Sequence, residues 1–319
     1  MKTIPRLLLL ILLAAWCGDV CLAEDSASFE PGGELETLRE DELEDRLPSA
    51  DPPKKNWFLK LDNTINYDSN PAVAPSDEED DWADIFKLTA GKTFKKSGPH
   101  EIGGQYSFYG EFYSDQDERN IIGHTLDLYY GKMTTPLSFR IDYMYSRYEL
   151  DNDVYLRKHG VAPLLFYAPG GRNIEMLRMS YSWNEYPSME VLDGTDWSIQ
   201  LRHFHFLDEA KKMRLSVSYK FASTDADDSD QSYISHQAGV GLTAPMAGGM
   251  TVTLGIDYSR KEYDGGREDN GMVYGIGFAK PINETWSVSL DYSSTDNSSD
   301  DPVADYIRNV VSFTMSASF

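Results

Sequence analysis

The run Ile307-Arg308-Asn309-Val310-Val311-Ser312-Phe313-Thr314-Met315-Ser316-Ala317-Ser318-Phe319 decides the fold class. Ile307, Val311, Phe313, Met315, Ala317 and Phe319 share one parity, and Arg308, Ser312, Thr314, Ser316 and Ser318 share the other. A two-residue period sends successive side chains to opposite faces of a strand, so this segment has one oily face and one wet face. The stretch that follows Asn56 repeats it: Trp57, Leu59, Leu61, Ile65 and Tyr67 alternate with Lys60, Asp62, Thr64 and Asn66.

Twelve more segments of this kind lie between, near 84–94, 101–113, 121–132, 137–148, 155–167, 174–185, 196–206, 213–222, 233–244, 250–261, 271–280 and 285–293, giving fourteen in all. The sixth has the least clear parity and contains Pro163, which gives up a ladder donor. The connections also alternate. Short ones (95–100, 133–136, 168–173, 207–212, 245–249, 281–284) interleave with more acidic ones (68–83, 114–120, 149–154, 186–195, 223–232, 262–270, 294–304). Short turns on one rim and longer loops on the other are the build of an outer-membrane barrel, with the short turns on the periplasmic side.

Charge placement tests this reading. The middle of the apolar parity carries residues such as Phe86, Leu88, Leu126, Leu128, Ile199, Leu201, Val252 and Leu254, and no Asp, Glu, Lys or Arg. A lipid-facing Arg or Lys at mid-bilayer costs roughly 2–4 kcal/mol, so lipid would enforce such an absence. Asp84, Lys132, Arg147, Arg260 and Lys280 share that parity only near segment ends, while His124 and His236 stand out as exceptions. Trp57, Trp82, Trp183, Trp197, Tyr258 and Trp286 also lie towards the ends, where amphipathic rings suit the water–lipid interface. A soluble sandwich could alternate similarly. The even strand count, the two-rim pattern and Phe319 on the apolar parity favour an all-β, transmembrane, antiparallel up-and-down barrel of fourteen strands in the cell outer membrane.

Composition agrees. The 319 residues include 20 Tyr, and 52 acidic against 29 basic residues give a formal charge of −23, which argues against nucleic-acid binding. Mean hydropathy is −0.47, and after residue 23 no apolar run reaches helical membrane length. Residues 1–23 read as a signal peptide: Lys2 and Arg6, the apolar stretch Leu7–Trp16, then Cys21-Leu22-Ala23. Both cysteines fall in it, each preceded by a bulky residue, Trp16 or Val20, where a lipoprotein signal needs a small one. Residues 24–55, rich in carboxylates and containing Pro52-Pro53, read as a largely disordered acidic periplasmic arm, and residues 56–319 as the barrel.

Leu61 to Pro75, Leu-Asp-Asn-Thr-Ile-Asn-Tyr-Asp-Ser-Asn-Pro-Ala-Val-Ala-Pro, resembles the opening of the C-terminal barrel of surface lipoprotein assembly modifiers. His159 to Asn173, with Pro163 in a strand and a turn at Pro169-Gly170-Gly171, is similar to a mid-barrel stretch of related barrels. The resemblance implies a fourteen-stranded pore that assists export of a lipoprotein client. The helical-repeat domain that precedes the barrel in that family has no counterpart in 24–55.

The polar parity is expected to line the lumen with Lys60, Asp62, Arg140, Asp142, Arg178, Arg202, Arg214, Lys220, Asp257, Asp291 and Arg308. Arg178, Arg202, Arg214 and Lys220 would make one arc basic, and Asp257 and Asp291 would make another acidic. A transverse field of this kind orients polar solutes. The leading expectation is a passive pore for small polar solutes, with lipoprotein export and a lipid-modifying enzyme as alternatives. For an enzyme the candidates are His124 and His236, without an evident triad partner. Asp225, Asp227, Asp228 and Asp230 are candidate oxygen ligands for a hard cation but lack a glycine-turn calcium loop. No zinc, phosphate-loop or nucleotide motif suggests a cofactor. Expected partners are outer-membrane lipid and lipopolysaccharide, and the barrel-insertion machinery, with Phe319 as the assembly signal.

Overall fold

The computed structural model describes residues 56–71, 73, 80–170, 172–208 and 212–319. The expected signal peptide and acidic arm lie outside the described residues. The strands are β1 (Trp57–Asp68), β2 (Asp81–Ser97), β3 (His100–Tyr113), β4 (Ile121–Lys132), β5 (Leu137–Leu150), β6 (Asp153–Tyr167) and β7 (Asn173–Glu185). They continue as β8 (Gly194–Asp208), β9 (Met213–Ala226), β10 (Tyr233–Pro245), β11 (Thr251–Tyr263), β12 (Glu268–Pro281), β13 (Trp286–Ser299) and β14 (Tyr306–Ser318). Each pairs antiparallel with its sequence neighbour, and β1 pairs with β14, so the sheet closes into a barrel. Closure satisfies every edge, which a membrane-spanning sheet requires because hydrocarbon offers no hydrogen bonds.

The alternation read from the sequence is realised in register. Leu126, Leu128, Leu201, Val240, Leu254 and Ile256 stand on the outward face and are exposed, Leu201 by 56% and Val240 by 53%. An apolar surface this continuous has no counterpart on a water-soluble monomer and is matched by lipid. Trp82, Trp183 and Trp197 face outward near the strand ends.

Two expectations needed correction. Residues 149–154 are not a longer acidic connection: β5 and β6 are joined by the two-residue turn Asp151-Asn152, with φ of 47° and 70°. Asp and Asn tolerate the left-handed region, and two such residues in succession turn a hairpin in the hand of the sheet twist. The acidic stretches 223–232 and 294–304 are partly strand, since β9 runs to Ala226 and β13 to Ser299; polar residues on both faces hid the continuing ladder. Pro163 is accommodated within β6. Its pairing with Ile141 of β5 is kept, while the ladder to β7 skips from Val161–Tyr181 to Leu164–Arg178, where proline supplies no N–H.

Candidate functional site in the barrel interior

All eleven charged residues expected to line the lumen occupy the parity opposite the exposed apolar belt. Arg140 and Asp142 are almost fully buried, as is Asp127 on the adjacent strand. Arg140 donates from Nε to Asp142 Oδ1 at 2.7 Å, lies 3.5 Å from Asp127 Oδ2 through Nη2, and stacks over the Tyr129 ring with 3.9 Å to its centroid. Two carboxylates held this far from water need their cation, so this cluster is stiff. Lys60 lies 3.6 Å from Asp62. Arg308 donates from two nitrogens to one oxygen of Asp68, a partner the sequence did not suggest, because only closure of the sheet brings β1 and β14 together.

Cross-strand register places the rest in rows. Arg178, Gln200, Lys220 and Gln237 follow one another from β7 to β10. Arg202, Ser218, Gly239 and Asp257 form the next row from β8 to β11, so the expected basic and acidic arcs meet across two small residues. At Gly239 a Cβ would sit 2.1 Å from Asp257 Oδ1, so any larger residue there would push that carboxylate aside. Asp291 lies further round, between Gly277 and Ser312.

The inward face is not polar throughout, as the sequence reading had it. Tyr109, Ile121, Tyr148, Tyr155 and Leu156 form one buried apolar cluster inside the barrel towards the loop rim, with Ile85, Leu150 and Tyr186 against it. Leu164, Phe166 and Met176 form a second towards the rim that carries the termini. Phe204 is buried nearby, its ring centroid 5.3 Å from the Arg214 guanidinium and 6.0 Å from that of Arg202. The arc β2–β8 is thus filled by bulky side chains. The inward positions of β9–β14 are mostly small: Ser216, Gly241, Gly255, Gly275, Ser289 and Ser316 are representative. One signal for the filled arc was available, the unbroken apolar run Val161–Tyr167, which is how a strand covered on both faces reads.

Towards the loop rim a cavity of about 240 Å³ opens between Lys158, Asn184, Asp196, Thr224, Tyr233, Tyr263 and Arg267. Asp196 is its hub, accepting from Asn184 Nδ2 at 2.6 Å, Thr224 Oγ1 at 2.9 Å and Lys158 Nζ at 3.4 Å. His124 and His236 both face outward. Each places Nδ1 2.7 Å from a tyrosine hydroxyl, Tyr106 and Tyr219 respectively, so one ring nitrogen has a hydrogen-bond partner at the wall. Among the acidic loop residues, Asp228 caps the backbone N–H of Asp230 at 3.0 Å, and no described group of three His, Cys, Asp or Glu is placed to hold a metal ion.

Residues 178–319, from the middle of β7 to the last residue, match the family described as "Putative beta-barrel porin 2". The match covers less than half of the chain, whose fold is that of an outer-membrane barrel. Outer-membrane expressed OmpT of Vibrio cholerae superposes with a TM-score of 0.55 at 10% identity, over 86% of this chain and all of that chain. A loop L8 deletion mutant of the same protein gives 0.52 at 9% identity, over 82% and 98%. At such identities the likeness is one of fold alone. No curated protein matches the sequence of this chain.

Proposed function

We propose that the barrel is a passive, non-enzymatic pore for small polar solutes, with the eleven inward charged residues lining an aqueous path. The observation that carries this reading is the unequal filling of the interior. Side chains of β2–β8 pack against one another, whereas β9–β14 present Ser, Thr, Gly and Ala, leaving room beside a wall that holds charges of both signs. Barrels of about eight strands are filled by their own side chains and those of 16–18 strands hold water channels, so interior side-chain volume decides at fourteen. The match to a porin family over 178–319 supports the same reading. His124 and His236 weaken the enzyme alternative, since each is engaged by a phenol and not by a serine–carboxylate pair. The lipoprotein-export alternative draws on 61–75 and 159–173, outside the matched region.

Recording from the purified protein in planar bilayers tests the proposal. Wild type is expected to give stepwise ohmic conductance, and Arg202→Glu or Arg214→Glu is expected to shift reversal potential in a salt gradient towards cation preference. A silent wild-type barrel, properly folded, would refute the pore.

A further inference from the structure

The outward face carries one arrangement that the pore does not use. Register sets His124, Arg147, Arg157 and Glu185 side by side across β4, β5, β6 and β7, with Arg147 and Arg157 directly opposite each other. Like charges in directly opposed positions destabilise a sheet. Glu149 lies 2.6 Å from Arg147 Nη2 and Glu185 2.7 Å from Arg157 Nη1, yet both arginine side chains remain more than two-fifths exposed, and the five N–H donors of each exceed what one carboxylate takes.

The surroundings say what these donors meet. The next row towards the membrane centre is Leu126, Tyr145, His159 and Trp183, and the one after it Leu128, Tyr143, Val161 and Tyr181. An aromatic belt marks the edge of the hydrocarbon, so the arginine row stands at headgroup level, and longer loops mark this rim as the outer one. The connection above it is the two-residue Asp151-Asn152 turn, and no long β5–β6 loop overhangs the row. Paired guanidinium groups at headgroup depth, over an apolar wall, have the chemistry for a phosphorylated lipid: forked donors for phosphate oxygens and a greasy track for acyl chains.

We infer that Arg147 and Arg157, flanked by His124, form a binding site for a phosphate of the outer-leaflet glycolipid, lipopolysaccharide, and that this ligand relieves the repulsion between them. The inference stands on the barrel's outer-membrane placement and not on conduction.

The test uses the full protein in detergent with three probes: lipopolysaccharide bearing its lipid A phosphates, the same lipid dephosphorylated, and inorganic phosphate. Native mass spectrometry and thermal shift read binding. Arg147→Ala with Arg157→Ala is expected to weaken phosphorylated lipid by at least about tenfold, as losing hydrogen bonds to a charged group does. Lys132→Ala at the opposite rim should change nothing, and bilayer conductance of the double variant should equal wild type. Restored retention by the paired Lys variants would support a charge-based site. Equal retention by wild type and the alanine variant, or no preference for the phosphorylated lipid, overturns the site. Displacement of the lipid by millimolar inorganic phosphate would overturn the assignment to lipid.

Discussion

Arg308 donates from both Nε and Nη2 to a single oxygen of Asp68, at 2.9 and 2.7 Å, across the seam where the last strand meets the first. Asp68 is buried and Arg308 nearly so. Ser69 N–H donates to the Asn309 carbonyl at 3.0 Å, and Asn309 N–H to Ser69 Oγ at 2.9 Å, so the seam is fastened at its loop end as β-pairing finishes. At the other end Phe319 N–H donates to the Leu59 carbonyl at 2.9 Å.

Removing one side of this clamp strands a buried charge. Arg308→Ala is expected to lower unfolding free energy by about 3 kcal/mol, the low end for breaking a buried pair. Urea titration in lipid or detergent, followed by the mobility difference between folded and unfolded forms on unheated gels, measures it. The double variant Asp68→Leu with Arg308→Met should recover most of the loss.

The Arg140 cluster behaves likewise but away from the seam. Arg140→Leu removes the guanidinium that both Asp127 and Asp142 hold, and should destabilise by about 3–5 kcal/mol at neutral pH. Replacing all three with apolar residues of similar volume should be close to neutral.

Depth along the outer wall sets the tolerance for charge. Leu128→Arg, in the exposed apolar belt, is expected to cost about 2–4 kcal/mol, while Ile122→Arg near the loop-rim end of the same strand should cost about 0–1 kcal/mol. Equilibrium refolding into lipid vesicles reads both. Equal costs would contradict the placement of the bilayer.

Gly239→Val probes the interior wall. A Cβ there meets Asp257 Oδ1 at 2.1 Å and Ser218 Oγ at 2.8 Å, so the carboxylate must swing away. Conductance is expected to fall and the balance between Arg202 and Asp257 to tilt towards anions, measured as reversal potential.

Much of this was legible in the sequence, because a two-residue period read against lipid leaves little freedom: β4 was read as 121–132 and is Ile121–Lys132. Strand ends were less legible where Ser, Thr and Asp occupy both faces, as in Ser294–Ser299, since alternation disappears once both sides are wet. The inward packing of Tyr148, Leu164, Phe166 and Phe204 was missed because period two reports which residues share a face, and not whether the inner face is watered. The Asp68–Arg308 pair was beyond local reading, its members lying 240 residues apart.

The lopsided interior has a mechanical corollary. Any free bore runs off-axis, bounded on one flank by a bare wall a single small side chain deep and on the other by a rigid buttress. Substitutions on the bare flank therefore tune calibre with little effect on endurance, and those in the buttress do the reverse, so gauge and toughness can be altered separately in this cylinder.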